Sequence, residues 1–174
     1  MHVFQPYPIY MLDWNPFDKF GRDSVSIVAE ANGKQNAMSS KNATVGTFLG
    51  KNVLIAFVRD SRYTKELLDM SDTFSACFFD MNEKSNKHVV QILDAVSGRN
   101  EDKLKECKIN IAHSMNIPYI DEANFVILCK KIAAVPISPD MFYDSEIAQK
   151  YYTGKFDGDN HTMYIGEIKD ILVR

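Results

Sequence analysis

Short apolar segments separated by turn residues dominate the hydrophobic pattern of this chain. The segments long enough to form strands are residues 26–31, 53–58, 74–79 and 125–132. The second is almost continuously apolar, which is typical of a strand that is buried on both sides or lines the inside of a barrel. Turn signals, Asn-Gly-Lys at 32–34 and Leu-Gly-Lys-Asn at 49–52, predict tight connections between strands.

Helical periodicity is restricted to a few stretches. It predicts a short helix over 65–71 and a longer one over 87–96, with weaker helical signals at 100–107 and 140–151. The alternation over 161–173 predicts a closing strand. Many strands with few helices favour a mainly β fold, an antiparallel β-barrel with α insertions, over a doubly wound α/β sheet.

Length and composition are those of an ordinary globular protein. A chain of 174 residues with 45% apolar residues is expected to form a single domain, 1–174, with a proper core. The net charge of −3 gives no general attraction to nucleic acid or to an anionic membrane. The longest apolar runs are strand-sized, so no transmembrane helix is predicted. The first residues do not read as a signal peptide, and a cytoplasmic location is expected.

Cysteine and histidine spacing does not predict a metal or disulfide site. The three cysteines are far apart, and Cys77 and Cys129 fall in strand-like apolar runs, where we expect them to be small buried side chains. The histidines form no metal-binding spacing with them. His161 is expected at a loop or strand start rather than as a catalytic acid. The residues alone therefore predict no catalytic residue and no metal ligand.

The most informative chemistry follows the apolar run that ends at residue 58. The next residues are Arg-Asp-Ser-Arg-Tyr-Thr, and a helical pattern begins there. Unpaired N–H groups at a helix N-terminus and the planar guanidinium of arginine both suit phosphate, so this segment predicts a phosphate site without a Gly-rich loop. Thr64 is expected to be the helix N-cap. Taken without other information, Arg59 and Arg62 are better explained as solvated surface charges, because surface arginines are common.

Four segments together resemble the flavin reductase-like family, the FMN-binding split β-barrel group that includes flavoredoxin. In chain order they are NAMSS (36–40), VRDSRYT (58–64), SGRNEDK (97–103) and HTMYIGEI (161–168). The resemblance covers most of the chain from about residue 26 onwards. It implies an FMN-binding split barrel of antiparallel Greek-key type. It also implies a homodimer with FMN at or near the subunit interface.

The resemblance also implies which residues contact FMN. Asn36 would hydrogen-bond the ring system, and the extended backbone after it would match the alternating donors and acceptors of the ring edge. Arg62, Thr64 and Ser61 would bind the phosphate, with Lys103 as a second cation. The complete predicted set is Asn36, Ala37, Met38, Ser39, Ser40, Arg59, Ser61, Arg62, Tyr63, Thr64 and Lys103.

The implied function is that of an NAD(P)H-dependent flavin reductase, a flavin-dependent oxidoreductase. It would take electrons from transiently bound NADH or NADPH and pass them to a flavin or to a redox protein. Two alternatives stay open: a non-catalytic FMN electron carrier like flavoredoxin, and a barrel that has lost FMN and binds another ligand. The second has one supporting feature, because residues 40–44 lack the aromatic residue that the family commonly places there.

The N-terminal segment is unusually rich in aromatic residues, with six between residues 4 and 20. A free tail should not expose that much apolar surface. We therefore expect it to pack across the barrel or onto a partner subunit.

Overall fold

A computed structural model describes residues 1–174. The strands are β1 (Gln5–Pro6), β2 (Val25–Ala31), β3 (Lys34–Ser40), β4 (Ala43–Phe48), β5 (Lys51–Arg59), β6 (Thr73–Phe78), β7 (Ile111–Ser114), β8 (Ile117–Ile120), β9 (Phe125–Ile137) and β10 (His161–Val173). The α-helices are α1 (Tyr63–Met70), α2 (Lys84–Ala95), α3 (Lys103–Glu106) and α4 (Ser145–Tyr152). None of the helices combines the length and the apolar character needed to cross a bilayer.

The main sheet is antiparallel throughout, with the strand order β3-β2-β6-β9-β10-β5-β4. The long β10 pairs along most of its length with β9 and, over His161–Glu167, with β5. The short β1 pairs with the far end of β10, beyond the reach of β5. A separate hairpin is formed by β7 and β8.

A two-residue connection forces this sheet to curl into a barrel. The edge strands β3 and β4 are joined only by Lys41 and Asn42. In a flat sheet of seven strands these edges would be about 29 Å apart, whereas three peptide units span at most about 11 Å. No ladder joins β3 to β4, so the barrel stays split at this seam. The predicted antiparallel barrel with helical insertions is therefore confirmed.

Strands β2 and β6 and the first part of β9, Val126–Cys129, are buried on both faces, which explains their apolar sequences. Alternate residues along them belong to two separate apolar clusters. Ile27 and Ala76 point into the barrel interior, which α1 also helps to fill. Val28 and Cys77 point outwards into a second cluster, which α2 and the β7–β8 hairpin cover. Cys77 and Cys129 are fully buried, as predicted, and burial raises the pKa of Cys77 to about 11.

The N-terminal segment packs against the barrel of its own chain. The Tyr7 N–H donates to the Ile171 carbonyl at 2.8 Å, and the Trp14 ring contacts the rings of Phe20 and Phe78. Packing across the barrel, one of the two expected arrangements, is therefore the observed one. In contrast, β4 and the β7–β8 hairpin have no counterpart among the predicted strands. The outward side chains of β4 are largely exposed, and its Thr and Gly residues give no apolar signal.

Candidate functional site

The end of β5 and the start of α1 build one wall of the site. The N-cap of α1 is Arg62, so Thr64 is the second residue of the helix and the prediction of Thr64 as N-cap is wrong. Thr64 is fully buried, and its Oγ1 accepts a hydrogen bond from Asn36 Nδ2 at 2.8 Å. The helix starts two residues earlier than a Thr64 cap requires, and this places the hydroxyl inside the protein, against β3.

Gly98 lies against the side chain of Asn36. A Cβ atom at position 98 would be 2.2 Å from Asn36 Oδ1, far inside van der Waals contact. Asn36 is itself only 3% exposed. The backbone after α2 therefore packs so closely against β3 that there is no space for a side chain at position 98. Segments 36–40, 58–64 and 97–103 meet around the side-chain amide of Asn36.

Lys103 is almost completely buried, with 2% of its surface exposed. Its Nζ donates to the carbonyl oxygens of Leu93 at 2.9 Å and Val96 at 3.0 Å, at the C-terminal end of α2. Burial, together with the nearby positive charge of Arg62, lowers the pKa of Lys103 to about 8. An ammonium group has three N–H donors, so one donor of Lys103 remains for a ligand.

The two predicted arginines have different partners. The Arg62 guanidinium contacts Asp94 in the last turn of α2, donating both to its carbonyl oxygen and to its carboxylate. Arg59 turns the other way and donates to the carbonyl oxygens of Asp159 at 2.7 Å and Tyr151 at 3.0 Å. Arg59 therefore holds the segment between α4 and β10, whereas Arg62 faces α2.

Ser61 is tied to the same segment as Arg59. Its backbone N–H donates to Asp159 Oδ1 at 2.8 Å and its hydroxyl to Asp159 Oδ2 at 2.9 Å. Tyr63 lies beneath the guanidinium of Arg99, which is 5.9 Å from the ring centre. Both predicted residues are therefore close to the site, but their side chains already have partners within the protein.

Two adjoining cavities contain most of the predicted residues. The Lys103 cavity has a volume of about 440 Å³, and the predicted residues that line it are Asn36, Met38, Arg59, Ser61, Arg62, Tyr63, Thr64 and Lys103. The Ser39 groove has a volume of about 540 Å³, and the predicted residues that line it are Met38, Ser39, Ser40, Arg59 and Arg62. Ala37 lines neither cavity, because its side chain is fully buried in the outer apolar cluster.

A third cavity, the Tyr152 cavity of about 620 Å³, opens beside the groove and is mostly apolar. Its walls include Phe57 from β5 and Ile147 from α4. His161 borders both the groove and this cavity, and its Nδ1 is 2.7 Å from the Tyr152 hydroxyl. Burial, helped by the charge of Arg59, lowers the pKa of His161. His161 begins β10, which confirms its predicted place at a strand start.

Sequence reasoning did not identify Asp94, Gly98 or Tyr152 as part of the site. Gly98 can be predicted from the sequence, since it belongs to the same segment, SGRNEDK, as Lys103. Asp94 and Tyr152 lie on helices with no distinguishing motif, and only the tertiary structure brings them to the cavities.

No protein-family model matches this chain, and no curated protein matches it. Solved structures do. Flavoredoxin from Methanosarcina acetivorans is 18% identical, with a TM-score of 0.64 over 87% of this chain and 68% of that chain. The FMN-binding domain of a flavin reductases-like enzyme from Shewanella baltica is 13% identical, with a TM-score of 0.68 over 99% and 79%. An FMN-binding protein from Thermus thermophilus with bound 1-cyclohex-2-enone is 16% identical, with a TM-score of 0.63 over 98% and 78%.

These similarities show that the chain has the split-barrel fold of the flavin reductase-like, FMN-binding proteins. The fold that the four sequence segments implied is therefore confirmed. At identities below one fifth, the solved structures leave the ligand and the reaction to be argued from the residues of this chain.

Proposed function

We propose that this protein binds FMN and acts as a flavin reductase that takes electrons from NADH or NADPH. The observation that carries the proposal is the donor set of the Lys103 cavity. Arg62 and Lys103 bring positive charge to the N-terminus of α1, where the amides of Tyr63 and Thr64 have no acceptor within the helix. Two cations and free helical N–H groups form a donor set that suits a phosphate dianion.

The Ser39 groove suits the flavin ring for a different reason. Strand β3 is an edge of the sheet and pairs only with β2. Every second N–H and C=O along residues 36–40 therefore lacks a partner within the sheet. Such an edge can offer donors and acceptors in turn to the ring nitrogens and carbonyl oxygens of a flavin. When bound, FMN would supply the redox chemistry, accepting electrons from a nicotinamide and passing them on.

The Tyr152 cavity would receive the second substrate. It shares Phe57, Arg59 and His161 with the groove, so a molecule there would lie next to a flavin in the groove. Its apolar walls suit a flat organic ring, while His161 and Arg59 offer polar contacts at the border. The Thermus thermophilus protein with bound 1-cyclohex-2-enone supports the idea that this fold accepts a small ring compound.

The first test is an absorption spectrum of the purified protein before and after FMN is added and the excess removed. We expect retained flavin bands, and then oxidation of NADH or NADPH that rises when free flavin is supplied. Retained FMN with no turnover of either nicotinamide would refute the reductase and leave the electron carrier, whose acceptor would be a redox protein. A protein that stays colourless after reconstitution would refute FMN binding itself.

We also propose a homodimer. Its structural support is the apolar surface around the Tyr152 cavity, where Met141 is 57% exposed, Ile147 42% and Tyr151 44%. The N-terminal aromatics give less support, since most of them pack against their own barrel. Sedimentation equilibrium should give twice the chain mass of 19.8 kDa. A mass of one chain, at concentrations well above those of the activity assay, would refute the dimer.

A further inference from the structure

The carboxylate of Asp94 forms an ion pair with Arg62, the residue that the proposed function places against the phosphate group of FMN. We propose that the Asp94 carboxylate competes with the phosphate group of the flavin for Arg62, and thereby weakens binding and keeps the flavin exchangeable. This inference rests on the proposed function, and it identifies Asp94 as the residue that sets affinity for phosphorylated over unphosphorylated flavin.

The position of the pair supports competition. Arg62 and Asp94 both line the Lys103 cavity and the Ser39 groove, which also share Met38 and Arg59. A ligand with its ring in the groove and its phosphate in the Lys103 cavity has to pass them. Arg62 Nη1 donates to the Asp94 backbone carbonyl and Nη2 to the Asp94 carboxylate, so a phosphate that binds at Nη2 must displace the carboxylate.

The carboxylate can be displaced at little cost to the fold. The Asp94 side chain is 64% exposed, and Arg62 is its only hydrogen-bond partner. The other acid of the cavity, Asp159, is tied to the backbone and hydroxyl of Ser61. Of the two acids, Asp94 alone is therefore free to move aside for a ligand.

Helix stability does not account for an acid at this position. Asp94 lies in the last turn of α2, where the helix dipole disfavours negative charge. The positive charge of Arg62 contributes to the lowered pKa of Lys103, and the negative charge of Asp94 opposes that effect in the free protein. A bound phosphate would also offset the positive charges of Arg62 and Lys103. In the free protein, the Asp94 carboxylate therefore takes the place of the phosphate.

The test is Asp94→Asn, which keeps the side-chain shape and the backbone contact to Arg62 while removing the charge. The wild type and the variant are titrated with FMN and with riboflavin, at neutral pH and low salt, by quenching of flavin fluorescence. We expect the Kd of the variant for FMN to fall about tenfold, the usual scale of one charge-assisted contact, and that for riboflavin to stay within about twofold.

Two controls separate local competition from a general charge effect. Asp13→Asn removes one charge from an exposed residue that lines none of the three cavities, and it should leave the Kd for FMN unchanged. In an Arg62→Met background, Asp94→Asn should no longer tighten FMN binding, because the contested cation is absent.

The failures are distinguishable. Wild type that binds FMN while Asp94→Asn binds it equally or more weakly would overturn the inference and leave the proposed function intact. An equal increase in FMN affinity from Asp13→Asn would also overturn the inference, since the affinity would then depend on the net charge of the protein and not on the Arg62–Asp94 contact. Wild type that binds neither flavin would overturn both.

Discussion

Gly98→Ala should reduce the affinity for FMN by about a hundredfold, or about 2.7 kcal/mol. The new methyl group would lie 2.2 Å from Asn36 Oδ1 and 2.8 Å from Asn36 Cγ, so the asparagine has to move. Asn36 is buried and donates to Thr64, and moving it breaks that hydrogen bond and displaces the edge of β3 that we propose binds the flavin ring. Flavin fluorescence titration measures the loss.

The same substitution should lower the free energy of unfolding by about 1–3 kcal/mol, the usual cost of overpacking a filled site. Backbone strain does not contribute, because Gly98 is not among the residues with positive φ. Gly46→Ala is the matched control, since nothing lies within 4 Å of a Cβ at that position in β4. An alanine variant at 98 with wild-type affinity and stability would show that Asn36 moves freely and does not position the site.

Lys103→Met should also reduce FMN affinity by about a hundredfold while leaving riboflavin binding unchanged, because the role we propose for Lys103 is a charge-assisted bond to the phosphate alone. Methionine keeps the length of the side chain and removes the buried charge. Fluorescence titration with the two flavins, which differ only in the phosphate, isolates this contact. Equal losses for FMN and riboflavin would mean that the substitution distorts the cavity.

The pH profile gives a second readout for Lys103. Its pKa of about 8 means that the ammonium is charged below that pH and neutral above it. The affinity of the wild type for FMN should therefore fall as pH rises through about 8, whereas the flavin phosphate stays a dianion above its own pKa of about 6. Lys103→Met should lack this fall. Between about 8 and the ordinary lysine pKa of 10.5, the lowered pKa also makes folded wild type gain stability as pH rises.

The strands with a clear apolar or alternating pattern are the most predictable part of the fold. Residues 74–79 and 161–173 were predicted within one residue of β6 and β10, because an apolar or alternating pattern follows directly from which side chains must avoid water. The exposed edge strand β4 carries no such pattern and was missed. The helix over 140–151 begins later, at Ser145, where Asp144 caps it.

The structure gives the position of the residues predicted to bind the phosphate and the ring edge, but not their role. Asn36, Thr64 and Lys103 were chosen from three separate segments, and the tertiary structure brings them around one cavity. Their role as FMN ligands stays a prediction until the titrations above are made. The same is true of the reductase reaction, the nicotinamide donor and the dimer.

Hydrophobic periodicity and turn residues along the chain are enough to predict the mainly β barrel and the local chemistry of each segment, because both depend on neighbours in the sequence. The partners of the charged side chains follow from the tertiary fold. Arg62 meets Asp94 across 32 positions and Arg59 meets Tyr151 across 92. Such pairs depend on how the barrel curls and where α2 docks, and no local pattern encodes them. Affinity at this site is therefore a property of the packed fold.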